Sequence, residues 1–276
     1  MGLPPRSNPS PSANMKIGKR NLRQTLKAIF GKQHYVALLN MFRVYPEFFN
    51  ALFRYLSGRG KYPCAIRLKT PLGIISPVIF SYYDMLTVNE IFCRRDYGSD
   101  EKASVVVDFG SNIGISALYF LTRNIYCRCY LFEPVPENIK KLNDNLKNYA
   151  DRYVLNEAAV SDEGGIKKFG TEEFGRCGGL SRETGSYINV KCVNVNDVLA
   201  EILGKEKNID ILKIDTEGNE LGIINAIDRN ILPRIRVIYF EIDHTIELND
   251  DYKILPEYYE QSRYGNTIRL ILKINK

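Results

Sequence analysis

Asp108 closes an apolar run, Val105 to Phe109, and Gly110 and Gly114 follow it at once; beyond them Ile115, Leu118, Tyr119 and Leu121 recur at helical spacing. The pattern predicts a strand buried on both faces, a tight turn and a helix. Glycines at such a turn let the backbone bend sharply and leave no side chain between main-chain N–H groups and a bound molecule. The acid sets the charge that molecule should carry. A carboxylate beside the turn repels a pyrophosphate and suits the ammonium and sulfonium of S-adenosylmethionine (SAM).

A second acid sharpens this reading. Residues 127–132 predict the next strand, which ends at Glu133 and Pro134, 25 positions after Asp108. In a βαβ unit an acid there faces a ribose and accepts hydrogen bonds from both hydroxyls, a device shared by dinucleotide-binding and SAM-binding sheets. The turn separates the two classes. The dinucleotide fingerprint is G-x-G-x-x-G, whereas this turn reads D-x-G-x-N-x-G, with an acid in the role of the first glycine. A strand–helix turn without any ligand is the plain alternative, and the spacing of Asp108 and Glu133 weighs against it.

Five blocks follow one another along the chain: Asp108-Phe-Gly-Ser-Asn-Ile-Gly114; Phe132-Glu-Pro134 with Glu137 and Asn138; Ala158-Ala-Val-Ser-Asp162; Leu212-Lys-Ile-Asp215-Thr-Glu217-Gly218-Asn-Glu220; and Phe240-Glu241-Ile-Asp243-His244. In this order they resemble the motifs of FkbM-type SAM-dependent methyltransferases. Asp84 to Tyr97 is similar to the family's lead-in, so the resemblance covers about residues 84 to 244. It implies an α/β fold with a Rossmann-like SAM-dependent methyltransferase sheet, SAM as methyl donor and usually an oxygen acceptor. It assigns the cofactor to Asp108, Gly110, Ser111, Asn112, Gly114, Glu133, Pro134, Ala159 and Val160. Glu90 and Tyr97 fall at the methionine end, although an ordinary helix-surface acid and a core aromatic would fit those two positions equally.

Methyl transfer from a sulfonium is an in-line displacement, so catalysis can come largely from holding the acceptor against the methyl carbon. A hydroxyl acceptor must also lose a proton, to a base or with the help of a metal ion. Asp215 is the first candidate for positioning or base, with Glu217 and His244 next. Each has a structural competitor: Asp215 and Glu217 as caps of a helix starting near Asn219, Glu241 as a partner of Lys213, His244 as a satisfied surface residue. A divalent metal such as Mg²⁺, held through Asp215, Glu217 and Asp243, stays open, because spacing does not give mutual geometry. Zinc is not expected, since the six cysteines form no C-x-x-C pair and there are only two histidines. Reduced, buried thiols are the default.

The sheet that must position these groups is legible as a strand–helix rhythm. Pro136 opens a helix bearing Ile139, Leu142 and Leu146; Tyr153 to Val160 predicts a third strand; Asn196 caps a helix with Val198, Leu199, Ile202 and Leu203; and Ile209 to Ile214 predicts a fourth strand. A helix around Leu221 to Ile227, a strand from Ile235 to Phe240 and a last, antiparallel edge strand from Ile268 complete a mostly parallel sheet. Asp108, Glu133, Val160, Asp215 and Glu241 all fall at expected carboxyl ends, where open α/β sheets bind ligands. Residues 162–195, rich in glycine, read as a substrate lid or as an exposed β-excursion. In front of the sheet, Asn21 to Leu56 is helical with breaks near Gly31 and Pro46, residues 65–80 form a hairpin around Pro71 to Gly73, and Asp84 caps a short helix through Cys93. The expected organisation is a tail (1–14), an N-terminal helical and hairpin cap (15–100) lying over the turn, and the SAM domain (101–276).

Composition narrows the remaining classes. A chain of 276 residues with 45% hydrophobic and 25% charged residues can build a substantial core. No apolar run is long enough to span a bilayer and the start lacks a signal-peptide pattern, which predicts a cytoplasmic protein. The net charge of +6 is unevenly placed: eight basic residues, from Arg6 to Arg43, precede the first acid, Glu47, leaving thirty basic against thirty-two acidic residues in the remainder. A nucleic-acid partner is not expected, because no basic groove interleaved with aromatics is evident. The basic start suits a solvated tail or weak attraction to an acidic membrane surface, and the dense aromatics Tyr45, Phe48, Phe49, Phe53 and Tyr55 suit a membrane or homodimer face as well as packing on the parent domain. The acceptor implied by the resemblance is a glycan sugar or small secondary-metabolite hydroxyl. A nicotinamide-dependent oxidoreductase and a non-catalytic interaction protein are the competing classes.

Overall fold

All five side chains from Val105 to Phe109 are buried, which requires apolar layers on both faces of the strand. The computed structural model describes residues 16–17, 20–21, 32–98, 101–171, 179–180, 185–216, 218–241, 253–264 and 266–273. Strand β1 (Val105–Phe109) leads through helix α4 (Ile115–Leu121) to β2 (Arg128–Phe132), then through α5 (Pro136–Leu146) to β3 (Tyr153–Asn156). After a side sheet, α6 (Val195–Lys205) enters β7 (Ile209–Ile214), and α7 (Glu220–Ala226) precedes β8 (Ile235–Glu241); β9 (Tyr259–Tyr264) and β10 (Thr267–Leu272) form a hairpin.

The seven strands lie in the order β3-β2-β1-β7-β8-β10-β9. The first five are mutually parallel, and β10 pairs antiparallel with both β8 and β9. This is the expected Rossmann-like α/β sheet. The antiparallel strand is the second from the edge, because β9, whose mixed sequence gives no strand signal, covers it. The chain moves outward from β1 to β3 and returns on the other side of β1 at β7, so the carboxyl ends of β1 and β7 form the switch-point crevice.

Two apolar cores flank the sheet. Val106, Cys129, Leu131 and Ile211 face α4, α5 and the front helices; Val107, Phe109, Phe132, Leu212 and Ile214 face α6 and α7. The front helices are α1 (Lys32–Val44), α2 (Phe48–Ser57) and α3 (Tyr82–Val88), the last running on as a π-helical turn, Asn89–Arg94. Short strand pairs, Cys64–Ala65 with Val78–Ile79 and Leu68–Thr70 with Gly73–Ile75, form the expected hairpin. Residues 1–15 and 22–31 lie outside the described residues.

Three local expectations are corrected. Ser81, not Asp84, is the N-cap of α3: Ser81 Oγ accepts from the Asp84 amide, and Asp84 Oδ2 accepts from the Ser81 and Phe80 amides, which places the acid at the third helical position of a capping box. Asn194, not Asn196, caps α6, its Oδ1 accepting from the Asn196 and Asp197 amides, while Asn196 Nδ2 donates to the Ala226 carbonyl and its Oδ1 accepts from the Asp228 amide. The stretch from Tyr153 to Val160 is two strands, because the chain turns at Glu157 and Ala158, where the Ala158 amide donates back to the Asn156 carbonyl. The second piece, β4 (Ala159–Ser161), joins a side sheet with β5 (Gly165–Thr171) and β6 (Ser186–Asn194) in the order β4-β6-β5. The glycine-rich segment is thus a β-hairpin excursion over its described residues, with Gly165 opposite Cys192 and Thr171 opposite Ser186.

Asn145 ties the front hairpin to the glycine turn. Its amide group donates to the Val78 and Ile113 carbonyls and its Oδ1 accepts from the Val78 amide. Asn145→Ala removes three hydrogen bonds and should lower stability by about 1–3 kcal/mol, read as a shift in the urea midpoint at constant slope. An unchanged midpoint would show that the hairpin is held by apolar contacts alone.

Candidate active site

The turn after β1 is shaped by contact with β7. Gly110 has φ +83°, and a Cβ built there would stand 1.9 Å from the Asp215 carbonyl oxygen, so no other residue fits. Asn112 and Gly114 also adopt positive φ, and helix α4 starts from Gly114. Four amides of the turn bond to the protein: those of Gly110 and Ser111 donate to the Phe132 carbonyl, that of Gly114 to the Ser111 carbonyl, and that of Asn112 to Glu133 Oε2 at 2.8 Å.

Asp108 lies beneath this turn and is 0% exposed. Its Oδ2 accepts from Ser116 Oγ, and its Oδ1 accepts from Lys213 Nζ at 2.9 Å. Lys213 is its register partner on β7, so the two side chains project from the same face of adjacent strands. The same ammonium donates to the Gly110 carbonyl at 3.0 Å and lies 3.3 Å from Asp215 Oδ2. Burial alone would lower the Lys213 pKa, but Asp108 and Asp215 outweigh it and raise it, so the group stays protonated. Burial pushes the Asp108 carboxyl up, opposed by Lys213 and Ser116.

Above the turn a cleft is lined by the carboxylate residues Asp84, Glu90, Asp96, Asp215 and Glu241, together with Tyr97, Ser111, Asn112, Ser116 and Lys213. The π-helical turn supplies Glu90 and, through Arg94, anchors Asp96: Arg94 Nε donates to Asp96 Oδ1 at 2.7 Å, and Arg94 Nη1 lies 3.9 Å from Glu90 Oε1. Tyr97, buried behind them, donates its hydroxyl to Glu241 Oε1 at 3.4 Å. Burial, then the charges of Asp215 and Glu241, hold the Tyr97 phenol well above its ordinary pKa, so it remains a donor. The Asp215 charge first, and burial next, push the Glu241 carboxyl up to about 8.

The sequence candidates therefore divide. Glu90, Tyr97, Gly110, Ser111, Asn112 and Asp215 meet around one cleft, and Gly114 and Asp108 support it from below. Glu133 lies at the neighbouring strand end, nearly enclosed: Oε1 accepts from the Val135 amide and Asn138 Nδ2, Oε2 from Asn112, and burial pushes its carboxyl up to about 7. Pro134 follows it, half-buried. Ala159 and Val160 sit in the side sheet beside Cys192 and Val193 and do not line the cleft. Glu217, Asp243 and His244 lie outside the described residues. Among the described residues no group of three metal-ligating side chains is arranged to hold an ion.

Lys213 and Glu220 have no site role predicted from the sequence, and Glu241 is placed at a strand end only as a partner of Lys213. Lys213 is one lysine in an apolar strand, and only the register with Asp108 reveals its role. Glu241 carried a signal, a strand-end acid in the last motif block. Glu220 organises the loop that carries Asp215, its Oε1 accepting from the Thr216 and Gly218 amides.

The methyltransferase FkbM domain family matches residues 108–267, more than half of the chain. Among curated proteins the chain is similar to the 31-O-demethyl-FK506 methyltransferase FkbM of Streptomyces tacrolimicus, 26% identical over 189 residues, covering 55% of this chain and 72% of that protein. It is also similar to the AMB antimetabolite synthetase AmbE of Pseudomonas aeruginosa, 24% identical over 197 residues, covering 58% of this chain and 9% of that protein, so it spans under a tenth of the synthetase's length. Of the solved structures, a methyltransferase from Geobacter sulfurreducens aligns with TM-score 0.40 and 14% identity over 68% of this chain and 79% of that one.

Removing one partner of a buried ion pair leaves an uncompensated charge. Lys213→Met strands Asp108 and Asp215 and should cost about 3–5 kcal/mol, measured by urea unfolding, with part of the loss recovered in the Asp108→Asn/Lys213→Met double variant. Equal stability of Lys213→Met and the parent would show that the pair holds nothing together.

Proposed function

We propose, from the premise that this chain belongs to the FkbM methyltransferase family, that it transfers the methyl group of SAM to a hydroxyl oxygen of a glycan sugar or a secondary metabolite. One observation carries the reading: five carboxylate residues line the cleft above a glycine turn whose Gly110, Ser111, Asn112 and Gly114 amides are bonded to protein. That donor set fits a cation. A pyrophosphate would add negative charge beside those carboxylates, and the Asn112 amide that could meet it is bonded to Glu133. The Streptomyces relative's name, an O-demethyl methyltransferase, supports an oxygen acceptor.

The residues that would hold SAM are those of the cleft, Glu90, Tyr97, Ser111, Asn112 and Asp215 among them, with Glu133 toward the ribose. Glu133 and the segment after it would have to exchange protein hydrogen bonds for ligand ones. Asp108 acts as a positioning residue, through Lys213 and Ser116. When bound, SAM supplies a methyl group on a cationic sulfur, which a nucleophilic oxygen can take. The chain's own task is then to orient the acceptor and receive its proton. Asp215 and Glu241 lie on adjacent parallel strand ends and repel each other's charge, and a carboxylate whose pKa stands near 8 is a better base in its ionised form than an ordinary one. Glu241 therefore joins Asp215 as a base candidate, alongside Glu217 and His244. A cap built from residues 15–100 supplies the Glu90 and Tyr97 wall, and residues 101–276 supply the rest.

Transfer of radiolabelled methyl from SAM to extracted glycans, glycolipids and small hydroxylated metabolites tests the proposal; no labelled acceptor in any class would remove the O-methyltransferase reading. Asp215→Asn should keep the fold and most SAM affinity while cutting transfer by about a hundredfold or more; full activity would take it out of the chemistry. A bound cation favours ionised Glu241, so the ratio of parent to Glu241→Gln SAM affinity, read by calorimetry, should rise with pH and level off above about 8. A ratio flat from pH 6 to 9 would place Glu241 away from the cation.

A further inference from the structure

Helices α1 and α2 each have a buried side and an apolar exposed side. Asn40, Met41, Val44 and Ala51 turn inward, and Asn40 Nδ2 donates to the Cys93 carbonyl of the π-helical turn at 2.7 Å. Outward, Leu39 is 61%, Phe42 66%, Phe49 81% and Phe53 60% exposed. Phe49 and Phe53 lie one helical turn apart, with Leu56 beyond them, also exposed. The two helices present one patch, because the Phe42 and Phe49 rings both pack edge-on against Phe48, at 5.4 and 5.3 Å. Large exposed aromatics grouped in this way are uncommon on a surface that faces only water.

Charge identifies what covers the patch. The sequence leading into it holds eight basic residues and no acid before Glu47, and Arg43 is exposed beside Phe42 on α1. We infer that this face docks on an anionic lipid surface, the rings entering the headgroup boundary and the basic segment neutralising lipid charge. A second copy of the chain fits less well, since a symmetric contact through the patch would bring the exposed Arg43 of each copy together. Among the described residues no helix is long and apolar enough to cross a membrane, so the contact is peripheral. Because α1 packs against the turn that carries Glu90, docking would set the front wall of the cleft one helix layer from the lipid.

Flotation of the full chain with vesicles tests this. It should bind phosphatidylcholine vesicles containing about a third phosphatidylglycerol and leave pure phosphatidylcholine unbound. Raising salt from about 0.1 to 1 M, which shortens the screening length from about 10 to 3 Å, should weaken binding at least about tenfold, as should Phe49→Asp/Phe53→Asp, with circular dichroism and SAM affinity unchanged. Sedimentation velocity should give the same species for parent and variant. No binding to anionic vesicles, binding indifferent to both salt and the double variant, or a parent dimer that the variant dissociates would overturn the inference, the last by giving the face to a second copy.

Discussion

Lys213 meets Asp108 across two neighbouring parallel strands, at the point where the sheet reverses its direction of growth. The remainder of the site hangs on this ammonium. It reaches the Gly110 carbonyl and Asp215 as well as Asp108, so one buried cation ties together the first strand, the turn and the end of the strand beside it. A buried ion pair seldom adds net stability over apolar packing; its value here is geometric. With Lys213 fixed, the Asp215 carbonyl lies against Gly110 so closely that a β-carbon is impossible, and the turn and the Asp215 loop hold each other in place.

The cleft's charge follows from that arrangement. Lys213 is taken up by the carboxylates and carbonyl around it, and Arg94 by Asp96 and Glu90. The carboxylate side chains along the wall outnumber these two cations, and crowding between Asp215 and Glu241 is strong enough to push the latter's carboxyl up to about 8. A positively charged ligand relieves such crowding, whereas an anion adds to it. The turn is also tied to the protein: its Gly110, Ser111, Asn112 and Gly114 amides serve Phe132, Ser111 and Glu133, which joins two strand ends.

Much of this was legible in the sequence because it rests on local pattern. An unbroken apolar run ending in Asp108, two glycines and a helical period define the first strand, turn and helix without tertiary information, and Glu133 follows from the length of one βαβ unit. What failed to show is what depends on register or on neighbours distant in the chain. Lys213 becomes meaningful only when β7 is laid beside β1. Ser81 and Asp84 both suit a cap, and the reciprocal bonds of a capping box decide between them. Tyr153 to Val160 is continuously strand-like by residue type, yet the chain turns at Ala158 and gives its second half to another sheet. Strand β9, Tyr-Glu-Gln-Ser-Arg-Tyr, has no apolar alternation because it is an edge whose side chains are largely accessible.

The proposed preference for a cation rests on the acid-lined cleft over the glycine turn. Calorimetric titration of the full chain with SAM, its uncharged-sulfur product S-adenosylhomocysteine and NAD, at low and at moderate salt, addresses it directly. A cation-selective cleft should give measurable SAM binding that weakens as salt rises, a smaller salt dependence for the product, and no binding of NAD. Tight NAD binding with no heat from SAM or its product would contradict it.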